Sequence, residues 1–482
     1  MFFSQKLDWF LLSNDNFLDG IVNEICSNID NQRTSYRRIN KDIKKKEQRA
    51  CNIIINALYQ GYYSIPETWI SIPLGRSYYS GKVYSYRSIK KIYDYLKKNK
   101  FIKVKLGSEY ANKYTRIFPI KRLKTLFESL DYKWRHYHYN DNHKSIILRD
   151  KDKIDQNIPA DSLSEKYRTN LNKINKFLLR HCIALDLDDK ALKIIKKLKI
   201  KDLKDKYYDQ EFKYSLNFSK VSLSRIFSRN SFKLGGRFYR GWWQSLPRRF
   251  RPHITIDGYK TSEVDFSTMS LRILYAKENI QIPDNRDLYD IGLHGSEDYL
   301  SNSRELVKQY TNAILNDFKG NYRLNNKQLA ILKLSHNQLK DRVYKAHREI
   351  SKYFSTGIGL ETMFIDSQIA EKIMLYYLEN DIVILPVHDS FIIRSAYESH
   401  LVKTMVSKFN EVVGFNTKVK VTGSLLPKHF YNPPTTTAST NPSEGIVAGT
   451  DLWNLINDKN SKTYNDYLGS WDEWNHKFNF RL

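Results

Sequence analysis

Two short strings constrain this chain more than anything else in it. EVDFSTMSLRILYA spans residues 263–276, and ILPVHDSFII spans residues 384–393. Each runs a strand-like apolar stretch into an aspartate, Asp265 or Asp389, with polar residues directly after it. From Thr268 onward the apolar residues Met269, Leu271, Ile273 and Leu274 fall at helical spacing, so Asp265 is expected where a strand hands over to a helix. Asp389 lies with His388 and Ser390 between two apolar runs, 382–387 and 391–393, and is expected at a hairpin tip. A carboxylate buried there alone is costly and calls for a partner such as a cation. Two carboxylates at the ends of adjacent strands can hold two divalent cations about 3.5–4 Å apart, the arrangement that clamps the attacking and leaving oxygens of a phosphoryl displacement. Magnesium favours such a sparse carboxylate-plus-phosphate shell, and the backbone carbonyl of Phe266 would add a ligand.

Between the two strings lies SNSRELVKQYTNAILNDF, residues 301–318. Ser301 to Ser303 read as its helix start, Arg304 and Lys308 are four apart on one face, and Thr311, Asn312 and Leu315 continue that face. Two cations on a helix opposite two carboxylates suit a triphosphate with its metals. Singly, each piece has a bland reading: a turn-forming aspartate, or the surface charges of an amphipathic helix. The order and combination carry the argument.

Asp265, then Arg304 and Lys308, then Asp389 resembles motifs A, B and C of the family A polymerase superfamily, which includes DNA polymerases and single-subunit, phage-type RNA polymerases. EVDFSTMSLRILYA resembles the DNA polymerase form of motif A, and RELVK the Arg-x-x-x-Lys core of motif B. VHDSF is closer to the RNA polymerase form of motif C, because Ser390 stands where DNA polymerases usually carry Glu. GGRFY, residues 235–239, resembles the Arg-Gly-Arg-x-Tyr element of the phage-type enzymes. The resemblance covers roughly residues 215–425 and implies an α+β right-hand polymerase with palm, fingers and thumb. It implies two Mg²⁺ ions (or Mn²⁺) held by Asp265, Phe266 and Asp389, and nucleotide contacts from Arg304, Lys308, Ser270, Asn312 and Asn316. Arg237, Tyr239 and His388 would lie toward the nucleic acid, with His388 orienting its neighbours.

Two departures follow. Ser270 replaces the Glu that blocks a ribose 2′-hydroxyl in the DNA polymerases, so ribonucleotides should be accepted. Asn316 and Asp317 replace the aromatic-Gly pair that normally stacks at the nascent base pair, leaving Tyr310 or Phe318 as stand-ins, or base selection loose.

The charge balance points the same way. Lys plus Arg total 79 against 52 Asp plus Glu, a net +27, which calls for a polyanionic partner such as nucleic acid, and 14% aromatics supply stacking platforms. Cys26, Cys51 and Cys182 form neither zinc spacing nor a disulfide framework, which fits a reducing, cytoplasmic compartment. The N-terminus lacks the long apolar segment of a signal peptide, and no membrane-spanning run is expected.

Upstream, an apolar helix beginning near Ala50, a second helix from Ser85 bearing Ile89, Ile92 and Leu96, and a hairpin made by FIKVKL and KYTRIFPI follow the order of a winged helix-turn-helix, which this segment resembles. In that reading Arg87, Lys90 and Lys91 enter a DNA groove and Lys103 and Lys105 on the wing touch phosphates. Residues 1–130 thus form a basic DNA-binding region, and 131–234 a mostly helical, thumb-like connection with a stripe of Leu192, Ile195 and Leu198. Residues 235–430 form the palm and fingers, and 431–482 a linker and a tail bearing Trp453, Trp471 and Trp474.

The function expected is addition of nucleotides, foremost ribonucleotides, to a 3′ end on a DNA template, in the manner of an RNA polymerase or primase of a bacterium, phage or mobile element. The substrates would be nucleoside triphosphates, with DNA or RNA as partner. The alternatives are a DNA polymerase, a template-independent nucleotide-adding enzyme of a mobile element or defence system, and a non-catalytic replication initiator with a decayed palm.

Overall fold

The computed structural model describes residues between 4 and 423, with internal gaps of which the longest is 187–215. The stripe of Leu192, Ile195 and Leu198 and the three C-terminal tryptophans lie outside the described residues. The architecture is mixed α+β.

The N-terminal part comprises β1 (Ser4–Lys6), β2 (Leu11–Ser13), α1 (Asp19–Asn31), α2 (Lys41–Tyr63), β3 (Trp69–Ile72), a 3₁₀ turn at Arg76–Tyr79, α3 (Tyr86–Lys98), β4 (Ile102–Lys105), β5 (Thr115–Pro119) and α4 (Lys121–Glu128). The Ser85 side chain caps α3 by accepting from the Ser88 N–H, and the apolar stripe Ile89, Ile92 and Leu96 is fully buried. α2 starts well before Ala50, so the basic run Lys44 to Lys46 forms its exposed first turns. β4 and β5 pair antiparallel from Ile102↔Pro119 to Lys105↔Arg116, and the sheet order is β1-β3-β5-β4.

The next stretch is more strand-rich than its helical spacing suggests. It holds β6 (Tyr137–Tyr139), β7 (Ile146–Arg149), β8 (Asp155–Gln156), α5 (Ser162–Leu178), β9 (Ile183–Leu185) and β10 (Ser224–Ser228). β10 pairs parallel with β7 and antiparallel with β11 (Ser231–Tyr239). These are short apolar runs such as IILR and IAL, whose length rather than periodicity marks them as strands.

A six-stranded sheet carries both motif aspartates. It contains β9, β12 (Ile254–Ile256), β13 (Tyr259–Phe266), β14 (Ile384–Val387), β15 (Ser390–Arg394) and β16 (Val419–Gly423), in the order β14-β15-β13-β12-β9 with β16 also pairing β13. Along β13, Val264 and Phe266 face a core shared with α6 (Met269–Lys277), α10 (Gly359–Glu379) and α11 (Glu398–Val413). Glu263 and Asp265 alternate onto the opposite face. α6 is buried on two sides: Met269 and Ile273 meet the sheet core, while Leu271, Leu274 and Tyr275 meet a second core. That second core is built with α7 (Glu297–Asn316), α8 (Asn326–Leu332) and α9 (His336–Ala346). α7 begins four residues earlier than the serine run suggests, because Ser296 caps it by accepting from the Tyr299 N–H and Glu297 and Asp298 favour the helix N-terminus.

Candidate active site

Strand register brings the two motif aspartates together. Asp265 pairs across with Ser390 in β15, and Val387 of β14 pairs with the same Ser390, so His388 and Asp389 form a two-residue turn beside Asp265. The Phe266 N–H donates to the Asp389 carbonyl at 3.1 Å. In an extended strand the N–H and C=O of one residue point to the same side, so the Phe266 carbonyl faces the turn as well. Its ring is buried against Phe409. His388 takes a φ of +58° to close the turn, a left-handed conformation uncommon outside glycine. Burial, and then the neighbouring Asp389 carboxylate, push Asp265 up to about 7, against the opposing pull of Lys420 and Arg248.

Four groups crowd the turn. Arg237, from β11, donates from Nε to Asp366 Oδ2 of α10. Burial alone would lower this guanidinium; Asp366, Asp389 and Tyr239 outweigh it and raise it above its ordinary value. Asp366 is itself buried, which lifts it to about 6, with Arg237 opposing and Asp389 adding to the rise. His388 packs edge-on against Tyr239 at 5.6 Å, and its Nδ1 has no hydrogen-bond partner among the described residues. Burial and then Arg237 depress it to about 4, so it stands neutral beside Asp389. Tyr239 is raised by burial. Arg237 and Tyr239 therefore line the floor of the site, with Arg237 already in an ion pair.

Beneath Asp265, Ser390 Oγ donates to Glu263 Oε1 at 2.6 Å, and Arg251 Nη1 donates to the same oxygen at 2.8 Å. These bonds lock the register of β13 against β15 at the point where the carboxylates emerge.

The α7 residues arrive from the helical layer. Arg304 is held by Asp287 in a two-point pair, Nη2 to Oδ1 at 2.9 Å and Nε to Oδ2 at 2.5 Å, and lies over the Tyr289 ring. It is thus engaged where the sequence suggests a free cation. Lys308 is half-buried and makes no ion pair among the described residues. Asn312 is in hydrogen-bond contact with buried Tyr289, whose hydroxyl is raised first by burial and also by Asp389. Asn316 is exposed, donates to the Asn312 carbonyl, and packs where a Cβ on Gly359 would stand 2.2 Å from its Oδ1. Of the aromatic stand-ins, Tyr310 is sunk in the helical core, while Phe318 is exposed, lies against Gly357, and carries Arg229 over its ring at 3.7 Å. Ser270 is half-buried in the first turn of α6, following Thr268 at φ +56°.

In the N-terminal part, Arg87 is exposed, but Lys90 pairs with Asp94, and Lys91 pairs with Glu47 of α2. Lys103 lies over the rings of Trp69 and Phe118, and Lys105 is exposed.

Sequence reasoning missed Glu263, Arg251, Tyr289, Asp287 and Asp366. Glu263 alone had a local signal, its alternation with Asp265 on one strand face; the others reach the site from distant segments. No cluster of three or more His, Cys, Asp or Glu groups suited to a metal occurs among the described residues, and none of their helices is long and apolar enough to cross a membrane. No family model and no curated protein matches the chain. Among solved structures it is similar to the POL domain of Pol1 from M. smegmatis in complex with DNA primer-template and dNTP, at 12% identity and a TM-score of 0.30, over 86% of this chain and 66% of that one.

Proposed function

We propose that this chain is a nucleotidyltransferase that extends a nucleic-acid 3′ end, using ribonucleoside triphosphates in the manner of an RNA polymerase or primase. The observation that carries the reading is the register that sets Asp265 and Asp389 side by side at one strand end. Burial and like-charge repulsion there disfavour two bare carboxylates, which is the donor chemistry of a divalent cation site. Asp265, Asp389 and the Phe266 carbonyl are the groups that would hold Mg²⁺, which when bound supplies activation of the 3′-hydroxyl and charge neutralisation at the pyrophosphate.

The chain's own groups divide the remaining work. Lys308, on α7 and without an ion pair among the described residues, is the proposed partner of the triphosphate and proton donor to the leaving group. Arg304 joins it by exchanging Asp287 for phosphate, or else fixes Tyr289 and Asn312. Ser270 leaves room for a 2′-hydroxyl. α5 and the sheet of β7, β8, β10 and β11 take the place of a thumb and connection, the six-stranded sheet that of a palm, and α7 to α9 that of fingers. The helix–strand–turn–helix–hairpin order of the N-terminal part supports a winged helix, with Arg87 and Lys105 as its exposed cations.

The test is incorporation of labelled nucleotides on a primed DNA template with Mg²⁺, ribo- and deoxyribonucleotides apart, beside Asp389→Asn. Template-matched ribonucleotide products that vanish in the variant are expected. Products that ignore the template would move the reading to terminal transfer, which the exposed, non-aromatic Asn316 specifically favours as a second reading. No product in any tube would leave a DNA-binding protein with an inactive palm.

A further inference from the structure

We infer that Arg248 and Lys420 form a seat for the sugar-phosphate backbone of a polynucleotide strand at the rim of Asp265. The inference rests on the polymerase reading above and names where that enzyme holds its strand.

The geometry comes from two ladders of matching pitch. Residues three apart in a 3₁₀ helix eclipse one another with a rise of about 6 Å, and residues two apart on a strand face are about 6.8 Å apart. Arg248 and Arg251 are three apart in the 3₁₀ segment Arg248–His253, and Glu263 and Asp265 are two apart on one face of β13. Arg251 reaches Glu263 and closes a buried ion pair. Arg248 is therefore aligned with Asp265 as Arg251 is with Glu263. It is nevertheless exposed and makes no ion pair among the described residues.

Lys420 approaches from β16. It pairs directly across from Asp265 in β16, where cross-strand neighbours share a face about 5 Å apart. It too is exposed and free of an ion pair among the described residues. Both cations act electrostatically on Asp265.

Two cations beside a carboxylate that neither neutralises weaken that carboxylate as a cation ligand. A polyanion lying across the rim removes that penalty by pairing with both. The incoming triphosphate has its own cation, Lys308, on α7, and Asp389 rather than Asp265 acts on Tyr289 of that layer. The rim beside Asp265 is left for the strand.

The test measures affinity of the full chain for a labelled primer-template by anisotropy in EDTA, across salt, for wild type, Arg248→Gln/Lys420→Gln and the charge-keeping Arg248→Lys/Lys420→Arg. Loss of two phosphate contacts is expected to flatten the log Kd against log salt slope by about two and to raise Kd roughly tenfold near 0.1 M salt. The charge-keeping variant is expected to stay within about twofold of wild type, which excludes misfolding. Unchanged affinity and slope in the Gln variant would overturn the seat, as would a rise confined to the KM for nucleotide. Because binding is read without metal, wild type that binds but never incorporates would sink the enzymatic reading and leave the seat standing.

Discussion

At Gly236 a single added methyl group would meet two walls. A Cβ there would lie 2.8 Å from Phe227 Cε1 and 2.9 Å from Ser367 Oγ, and the backbone sits at φ +78°. Ser367 is also a partner of Arg225, whose buried ion pair with Glu371 ties β10 to α10. Gly236→Ala should therefore destabilise the chain by about 2–4 kcal/mol, combining positive-φ strain with overpacking. Gly414→Ala, at φ +79° with nothing within 4 Å, should cost only about 1 kcal/mol. Urea denaturation of both variants checks the contrast, and equal losses would refute the packing argument. Ser270 tests chemistry at the same scale: Ser270→Glu should shift incorporation toward deoxynucleotides by about tenfold or more, read as the ratio of kcat/KM values. The strand-end positions of Asp265 and Asp389 and the helical positions of Lys308 and Ser270 were legible from the sequence, because each lies in a short periodic stretch. Arg304 was legible as a helix cation but not as a paired one, since Asp287 lies in a loop with no period to place it.

At the scale of elements, the joint between α6 and the helical layer holds a buried histidine whose bonds specify one tautomer. His347 Nε2 donates to the Leu288 carbonyl at 2.8 Å, leaving Nδ1 to accept from the Tyr275 hydroxyl at 3.0 Å, while Arg286 donates to that hydroxyl at 2.9 Å. A second proton on His347 would turn the Tyr275 hydroxyl from a 3.0 Å bond to the ring onto the longer 3.4 Å bond to Glu349 Oε2. Burial, with Arg286 adding, depresses His347 to about 4. The unfolded chain then binds a proton that the folded chain refuses between about pH 6.5 and 4. Stability from this group is present above 6.5 and is lost as pH falls toward 4, by about 3 kcal/mol in all. Replacing His347 with Gln should narrow the wild-type advantage in urea by that amount between pH 7 and 4; a pH-independent difference would exclude this linkage. The loop after α7 offers a second element-scale test. Phe318, exposed beside Arg229, is the stand-in that the polymerase reading leaves for stacking on a base, so on that reading Phe318→Ala should raise misincorporation about tenfold on a primed template while Asn316→Ala leaves it unchanged. The hairpins and capped helices of this scale were readable because a period of two or of 3.6 survives in them. The short strands β7, β9 and β10 were not, because strands of three to five residues carry no readable period.

Among the described residues, three hydrophobic cores are distinct: one under the six-stranded sheet, one in the N-terminal part, and one among α7 to α9. The sheet and helical cores share α6 and should unfold together. The N-terminal part meets the rest through the β2–β6 pairing and the buried bond from Asn217 to Gln60 at 3.0 Å, among other contacts. Calorimetry should accordingly show two transitions, with Gln60→Ala lowering the temperature at which the N-terminal one occurs relative to the other. The net charge of +27 adds a second arm. A ligand that binds only the folded form raises the transition of the unit it binds, by RT ln(1 + [L]/Kd). Duplex DNA at low salt should raise both transitions, because exposed cations such as Arg87 and Lys105 lie on one unit and Arg248 and Lys420 on the other. Both shifts should shrink as salt rises toward about 0.5 M, where released counterions no longer drive binding. If only the second transition moves, the N-terminal part is a packing module and its lysines, two of which are already paired with Asp94 and Glu47, serve the fold. If only the first moves, the strand is not held at the carboxylate site, and the polymerase reading loses its substrate.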